Sequence, residues 1–262
     1  MASGGSFRTL RIAFLLILLF FVAGSTWLTK LRATDWDRPL WVVVYPVNGD
    51  GSVVSSAYIS QLRADAFVSI EEFMRREAAR YGVKLDQPVA VKLAPEVATL
   101  PPAPPRDGGV LGIMGWSLKM RYWAYRADTY DGPAPDIRMF VVYHDPATHD
   151  RLSHSFGLEK GLVGVVNAYA ERKMTERNNV VIAHELLHTV GATDKYDPAS
   201  NQPLYPDGYA EPQRQPRYPQ EKAEIMGGRI PLTENEAEMP GNLKYAVIGT
   251  KTAGEIKWIG AE

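Results

Sequence analysis

The chain contains no cysteine. Its absence excludes disulfides, thiolate zinc sites, a cysteine nucleophile and any cysteine-based latency. It does not fix the compartment, because an exported bacterial enzyme can dispense with disulfides. Histidine is scarce as well: His144, His149, His154, His184 and His188 are the whole set. Few imidazole ligand sets can therefore be built. Neither sign of charge dominates, and the formal net charge is −1. That balance points to no nucleic acid as partner. No internal repeat is present. Apolar residues make up 45% and charged residues 23%, ordinary for a globular protein. With 262 residues, one sizeable core or two small ones can form.

One long uncharged run stands near the N-terminus. Arg8 and Arg11 precede it, it extends from Ile12 to Leu28, and Lys30 and Arg32 close it. Its length is at the short end for a spanning helix. Its dense part, Ile12 to Val22, also has the length of a signal-peptide core, and Ala23-Gly24-Ser25 offers a small-residue cleavage site. Lys30, Arg32 and Arg38 offset Arg8 and Arg11, so charge does not set the orientation. The expectation is a single-pass membrane anchor with the rest of the chain outside the cytoplasm, periplasmic or extracellular. Secretion after signal cleavage is the alternative. Without a cysteine after the run, a lipoprotein anchor is ruled out.

The chemistry lies in the run His184-Glu185-Leu186-Leu187-His188-Thr189-Val190-Gly191-Ala192-Thr193-Asp194. On a helix, His184 and His188 leave the same face. Two neutral imidazoles so placed can hold one Zn²⁺. Glu185, beside the first ligand, can reach a metal-bound water without being a ligand itself. Gly191 can take the left-handed conformation that ends a helix. Asp194 can then return as a third, oxygen ligand, leaving a fourth position open, as in catalytic zinc sites. Asn178 and Asn179 read as N-cap candidates, which predicts a helix from about 179 to about 190. A His₂Asp set also suits Co²⁺, Mn²⁺ or Fe²⁺.

This string resembles the metzincin metallopeptidases, whose pattern is HExxHxxGxxH followed by a Met-turn. Asp194 stands where most members have a third His, an exchange shared with the snapalysin-type metzincins. The resemblance makes Met226, within Glu224-Ile225-Met226-Gly227-Gly228, the Met-turn residue, an apolar floor beneath the metal. Some metzincins carry a Tyr two residues past that Met; here the position is Gly228. The resemblance is specific over about residues 160–258 and only architectural before them. It implies a zinc-dependent endopeptidase acting on peptide or protein substrates. His184, His188 and Asp194 would hold Zn²⁺ and Glu185 would serve as general base. Two other readings stay open: a membrane-tethered zinc-binding module that recognises peptides without cutting them, and a zinc amidase acting on cell-wall peptides.

The implied fold is α+β and metzincin-like: a mixed twisted sheet with backing helices, an active-site helix, and an irregular C-terminal subdomain. Residues 1–35 hold the membrane segment and a linker, and 36–262 form the metallopeptidase domain, divided at 191/192. Strands are expected over 41–45, 89–93, 137–143 and 161–169, and helices over 56–81, 110–126 and 250–259. Gly82 is the stop for the first helix. Pro95, Pro101, Pro102, Pro104 and Pro105 mark an extended connector inside the domain. The strand before the zinc helix is the candidate edge strand, with Gly164, Val165, Val166 and Asn167 aligning substrate by strand addition. An internal strand is the equal alternative. His144, His149 and His154 recur at five-residue spacing, which matches neither a helix face nor a strand face. They read as loop histidines rather than a second metal site. Asp197 and Asn201 read as turn residues rather than a Ca²⁺ site. Tyr196 and Tyr205 lie close enough in sequence to reach the cleft. The aromatic and basic side chains of 116–126 are expected to pack under the sheet, with a membrane interface as the other reading.

Overall fold

The computed structural model describes residues 11–14, 34–105, 109–159 and 161–260. The uncharged run from Ile12 to Leu28 therefore lies almost wholly outside the described residues. Among the described residues, no helix is long and apolar enough to cross a membrane.

The architecture is mixed α+β. Five strands form the main sheet: β1 (Leu40–Asn48), β2 (Val89–Leu93), β3 (Ile137–His144), β4 (Phe156–Leu158) and β5 (Val163–Tyr169). Their order is β2-β1-β3-β5-β4. β1, β2, β3 and β5 run parallel, and β4 pairs antiparallel with β5. Parallel strands need cover on both faces, and the side-chain alternation provides it. Val42, Val44, Ile137, Met139, Val141 and Val166 enter one core, while Val43, Tyr45, Phe140, Val142, Val163 and Val165 enter the other.

Helices α1 (Val53–Gln61), α2 (Val68–Arg80) and α4 (Thr175–Thr189) supply apolar residues to the first core. Helix α3 (Val110–Arg126) closes the second with Met120 and Ala124. Its tryptophans pack as expected: Trp123 lies 4.5 Å from Phe140 and Trp116 meets Phe156 edge-on at 5.3 Å. The proline-rich stretch crosses this helix, since Trp116 Nε1 donates to the Pro102 carbonyl and Trp123 Nε1 to the Thr99 hydroxyl. A last helix, α5 (Thr250–Glu255), follows a C-terminal part built mostly of turns.

The single helix expected over 56–81 is instead two helices separated by the 3₁₀ turn Ala64–Phe67. Arg63 is extended, and its guanidinium donates to the carbonyls of Ser60 and Leu62 at the end of α1. The apolar spacing carries the reason. From Leu62 to Phe67 the step is five residues, which on a continuous helix swings about 140° off the stripe. The break lets both residues be buried. Tyr81 and Gly82 (φ 73°) end α2, where the glycine stop is expected.

The edge-strand expectation for residues 161–169 is overturned. β5 lies between β3 and β4, and the terminal strand is the three-residue β4. Gly164 and Val165 are paired on both sides. Val166 is buried in the core. Asn167 is held by its surroundings: its N–H donates to the Ser155 hydroxyl and its Nδ2 to the His154 carbonyl. So short a strand carries too little apolar alternation to be seen in sequence.

Candidate metal centre

Helix α4 begins earlier than its asparagines suggest. It starts at Thr175, after the 3₁₀ turn Arg172–Met174, so Asn178 and Asn179 lie inside it and are buried. They serve as side-chain clamps rather than caps. Asn178 accepts from the Tyr169 N–H and donates to its carbonyl, tying the helix to the end of β5. Asn179 donates to the Ala66 carbonyl and the Ser69 hydroxyl, tying it to α2. Val180, Ile182, Ala183, Leu186 and Leu187 fill the core side. Gly191, at φ 105°, ends the helix with its N–H on the His188 carbonyl.

That turn does two things at once. It presents the Ala192 carbonyl to His188 Nδ1 at 2.8 Å, and it reverses the chain so that Asp194 faces the helix. His184 Nδ1 donates to the Ile225 carbonyl, also at 2.8 Å. A carbonyl only accepts, so both Nδ1 atoms carry the proton and both Nε2 atoms present bare lone pairs. These lone pairs converge. His184 Nε2 and His188 Nε2 are 3.1 Å apart, and Asp194 Oδ1 lies 3.1 Å and 3.0 Å from them. Three acceptors this close repel one another unless a cation or a proton sits among them. The donor set of two imidazoles and one carboxylate, each imidazole oriented by a backbone carbonyl, fits Zn²⁺.

Electrostatics agree. Burial pushes the His184 pKa down, but the bond to Asp194, the Glu185 charge and the Ile225 carbonyl outweigh it, and the net direction is up. Burial raises Asp194, yet the two histidines hold it below the usual carboxylate range. Protons and metal thus compete for the same lone pairs, and the raised His184 starts to bind protons at a higher pH than a free imidazole near 6.5. Zinc retention is accordingly expected to fall as pH drops and protons compete for the imidazoles. Zinc per chain after equilibration across a pH series checks this; retention unchanged down to pH 5 would contradict it.

Glu185 lies beside these ligands, 6% exposed. Its Oε2 is buried with no hydrogen-bond partner. Burial raises its pKa, only partly offset by His184, His188 and His154. It is a carboxylate with above-normal proton affinity, not engaged in a structural bond at that oxygen.

The residues holding Asp194 come from far away. Thr193, just before it, donates its N–H and hydroxyl to Glu255 of α5 at 3.0 and 2.7 Å. Lys195, just after it, is 4% exposed and pairs with the same Glu255 at 2.8 Å. The Lys195 N–H also donates to the Met226 carbonyl at 2.9 Å. Met226 is fully buried in the core shared with Leu186 and Leu187, one residue past the carbonyl that orients His184. The turn around it is fixed by buried Glu224, which accepts from Gly227 N–H, Gly249 N–H and the Thr252 hydroxyl. Burial pushes the Glu224 pKa up in spite of those donors. Sequence reading missed Glu224 and Glu255 as positioning residues, and no local pattern marks them.

Of the other candidates, Tyr196 stands at the site, its ring 6.3 Å from His184. Burial and the Asp194 and Glu185 charges raise its pKa. Tyr205 is engaged elsewhere, beneath the Arg217 guanidinium and against Tyr209. Asp197 is a turn former, accepting from Ala199 and Ser200 N–H.

β4 flanks the centre. A Cβ added at Gly157 would collide with the Glu185 carbonyl and the His188 Cβ. The strand can lie this close to α4 only because the residue is glycine. Gly157→Ala is therefore expected to push strand and helix apart, lowering both thermal stability and zinc affinity. A variant with unchanged melting temperature and zinc affinity would show that the contact is not needed.

No protein-family model matches the chain, and no curated protein does. Among solved structures, one titled "Structure of a chaperone-substrate complex" is similar at TM-score 0.38 and 10% identity, over 84% of this chain and 34% of that one. A likeness this low carries no argument about either fold family or function.

Proposed function

We propose that the chain is a zinc-dependent endopeptidase of the metzincin kind, with Asp194 as third ligand in the manner of the snapalysin-type members. The observation that carries the reading is the convergence of His184 Nε2, His188 Nε2 and Asp194 Oδ1 at 3.0–3.1 Å, with both Nδ1 atoms tied to carbonyls. His184, His188 and Asp194 would hold the Zn²⁺, which when bound would supply water activation and carbonyl polarisation. Glu185 receives the proton of the attacking water and returns it to the leaving amine. Its burial raises its proton affinity, which suits both halves of that task. β4, the terminal strand beside α4, offers unpaired backbone groups to which an extended peptide can add. The N-terminal apolar run serves as an anchor that holds this domain outside the cytoplasm, at the membrane.

Glu185 must be ionised to act. Burial raises its proton affinity and a bound Zn²⁺ would oppose that shift, so activity is expected to be lost as pH falls through the Glu185 pKa of the zinc-loaded chain. A profile of kcat/KM against pH, with zinc held in excess so that metal loss does not intrude, reads this limb. The reading as a whole is tested by incubating the zinc-loaded chain with a mixed peptide library, followed by mass spectrometry. Cleavage that disappears with chelator and returns with zinc supports it. Stoichiometric zinc without cleavage of any peptide would replace it with a binding module or an amidase confined to cell-wall peptides.

A further inference from the structure

A second group of ligand-type side chains gathers at the opposite end of β3 from its entry. His144 is the last residue of β3, His149 follows on the next turn, and Asp50 belongs to the loop between β1 and α1. Their ligand atoms lie within 4.8 Å of one another.

The bonding around His144 is the telling part. Its Nε2 lies 3.1 Å from Asn167 Oδ1. The Asn167 amide is oriented by its Nδ2, which donates to the His154 carbonyl, so Oδ1 faces the ring and can only accept. Nε2 therefore carries the proton and Nδ1 presents a bare lone pair. That Nδ1 is buried and has no partner. An imidazole with one nitrogen donating to an amide oxygen and the other buried and unpaired, clustered with a carboxylate and a second imidazole, has the bonding of a metal ligand with its outer shell in place. The chain is shaped to let the ring lie there, since a Cβ at Gly49 would fall 2.5 Å from His144 Cε1.

Asp50 is similarly prepared. Its carboxylate is held by the N–H groups of Asp145 at 2.6 Å and Ser52 at 2.9 Å. Burial works against its charge, but these amides and the hydroxyls of Ser52 and Ser55 prevail, and it stays ionised throughout the range in which imidazoles are neutral. His149 is the most exposed member, with Nδ1 3.7 Å from Asp50 Oδ2 and its ring 5.0 Å from that of His144.

We propose that Asp50, His144 and His149 form a second divalent-metal site that joins the β1–α1 loop to the loop entering β4. Two imidazoles and one carboxylate suit the zinc class of ions; Ca²⁺ and Mg²⁺ want oxygen ligands. Bonds of roughly 2.0–2.1 Å bring tetrahedral ligand atoms to about 3.3 Å apart. His149, on an exposed turn, has the room to close that distance. An ion held there would tie down the loop that leads into β4, which backs onto Glu185 and His188 through Gly157, and would leave its fourth position to water. This site does not depend on the peptidase reading.

The test is titration of the metal-free chain with Zn²⁺ against a chromophoric chelator, counting ions per chain. The expected count is two for the unmodified chain and one for His149→Ala. Asp50→Asn, which keeps an oxygen for the backbone donors, is expected to give one as well and guards against a folding defect in either variant. The double variant His184→Ala, His188→Ala is expected to keep one ion and to lose it when His149→Ala is added, which separates this site from the first. A count unaffected by both His149→Ala and Asp50→Asn, whether one or two, would overturn the proposal.

Discussion

Glu185→Gln is expected to abolish peptide cleavage, by at least about 10³-fold in kcat, while zinc stays bound. General acid–base groups contribute roughly 10²–10⁴-fold, and in the proposed mechanism one carboxylate serves both as acceptor from water and as donor to the leaving amine. Gln keeps the shape and removes the proton affinity. The side chain is not needed to build the site: Oε2 has no partner, and the three ligand atoms are oriented by the Ile225 and Ala192 carbonyls and by the turn at Gly191. Fold and metal should therefore survive. Steady-state cleavage beside zinc content decides it. A Glu185→Gln chain that cleaves at the rate of its parent would end the proposed mechanism. One that loses its zinc would show that the carboxylate holds the site together electrostatically.

Asp194→Ala is expected to have the largest effect on zinc itself. Loss of an outer-shell partner costs roughly 10–100-fold in metal affinity, and loss of a ligand costs more. In the proposed site Asp194 would also supply the negative charge that offsets the ion. Dialysis against a chelator, followed by metal analysis, reads the outcome; unchanged zinc per chain would remove Asp194 from the ligand set. Glu255→Gln is the graded companion. Glu255 touches none of the ligands, yet it holds Thr193 and Lys195 on either side of Asp194. Its replacement is expected to weaken zinc by the outer-shell factor of about 10–100. It also removes the charge partner of a nearly buried Lys195, which keeps its bond to the Thr193 carbonyl, so stability is expected to fall as well.

The two histidines of the first centre are legible because their relation is local. A helix places residues four apart on one face whatever surrounds it, and a glycine at position 191 turns the chain within three residues. The parallel strands are legible because burial on both faces demands continuous runs of Val and Ile. The same reasoning misplaced the start of α4. Asn178 and Asn179 look like caps, and only the strand end at Tyr169 and the turn at Ala66 turned them into clamps.

The sequence by itself therefore determined that two histidines share one helix face with a glutamate beside the first, the stop after them and the parallel strands that carry the sheet. Tertiary structure alone decided which strand became the edge, which acids hold Asp194 and Met226 in place, and that His144 and His149 meet Asp50. The physical reason is separation along the chain. Glu255 reaches Thr193 across 62 positions and Asp50 reaches Asp145 across 95. Contacts at that distance arise from sheet order and packing, which no spacing between neighbouring residues encodes.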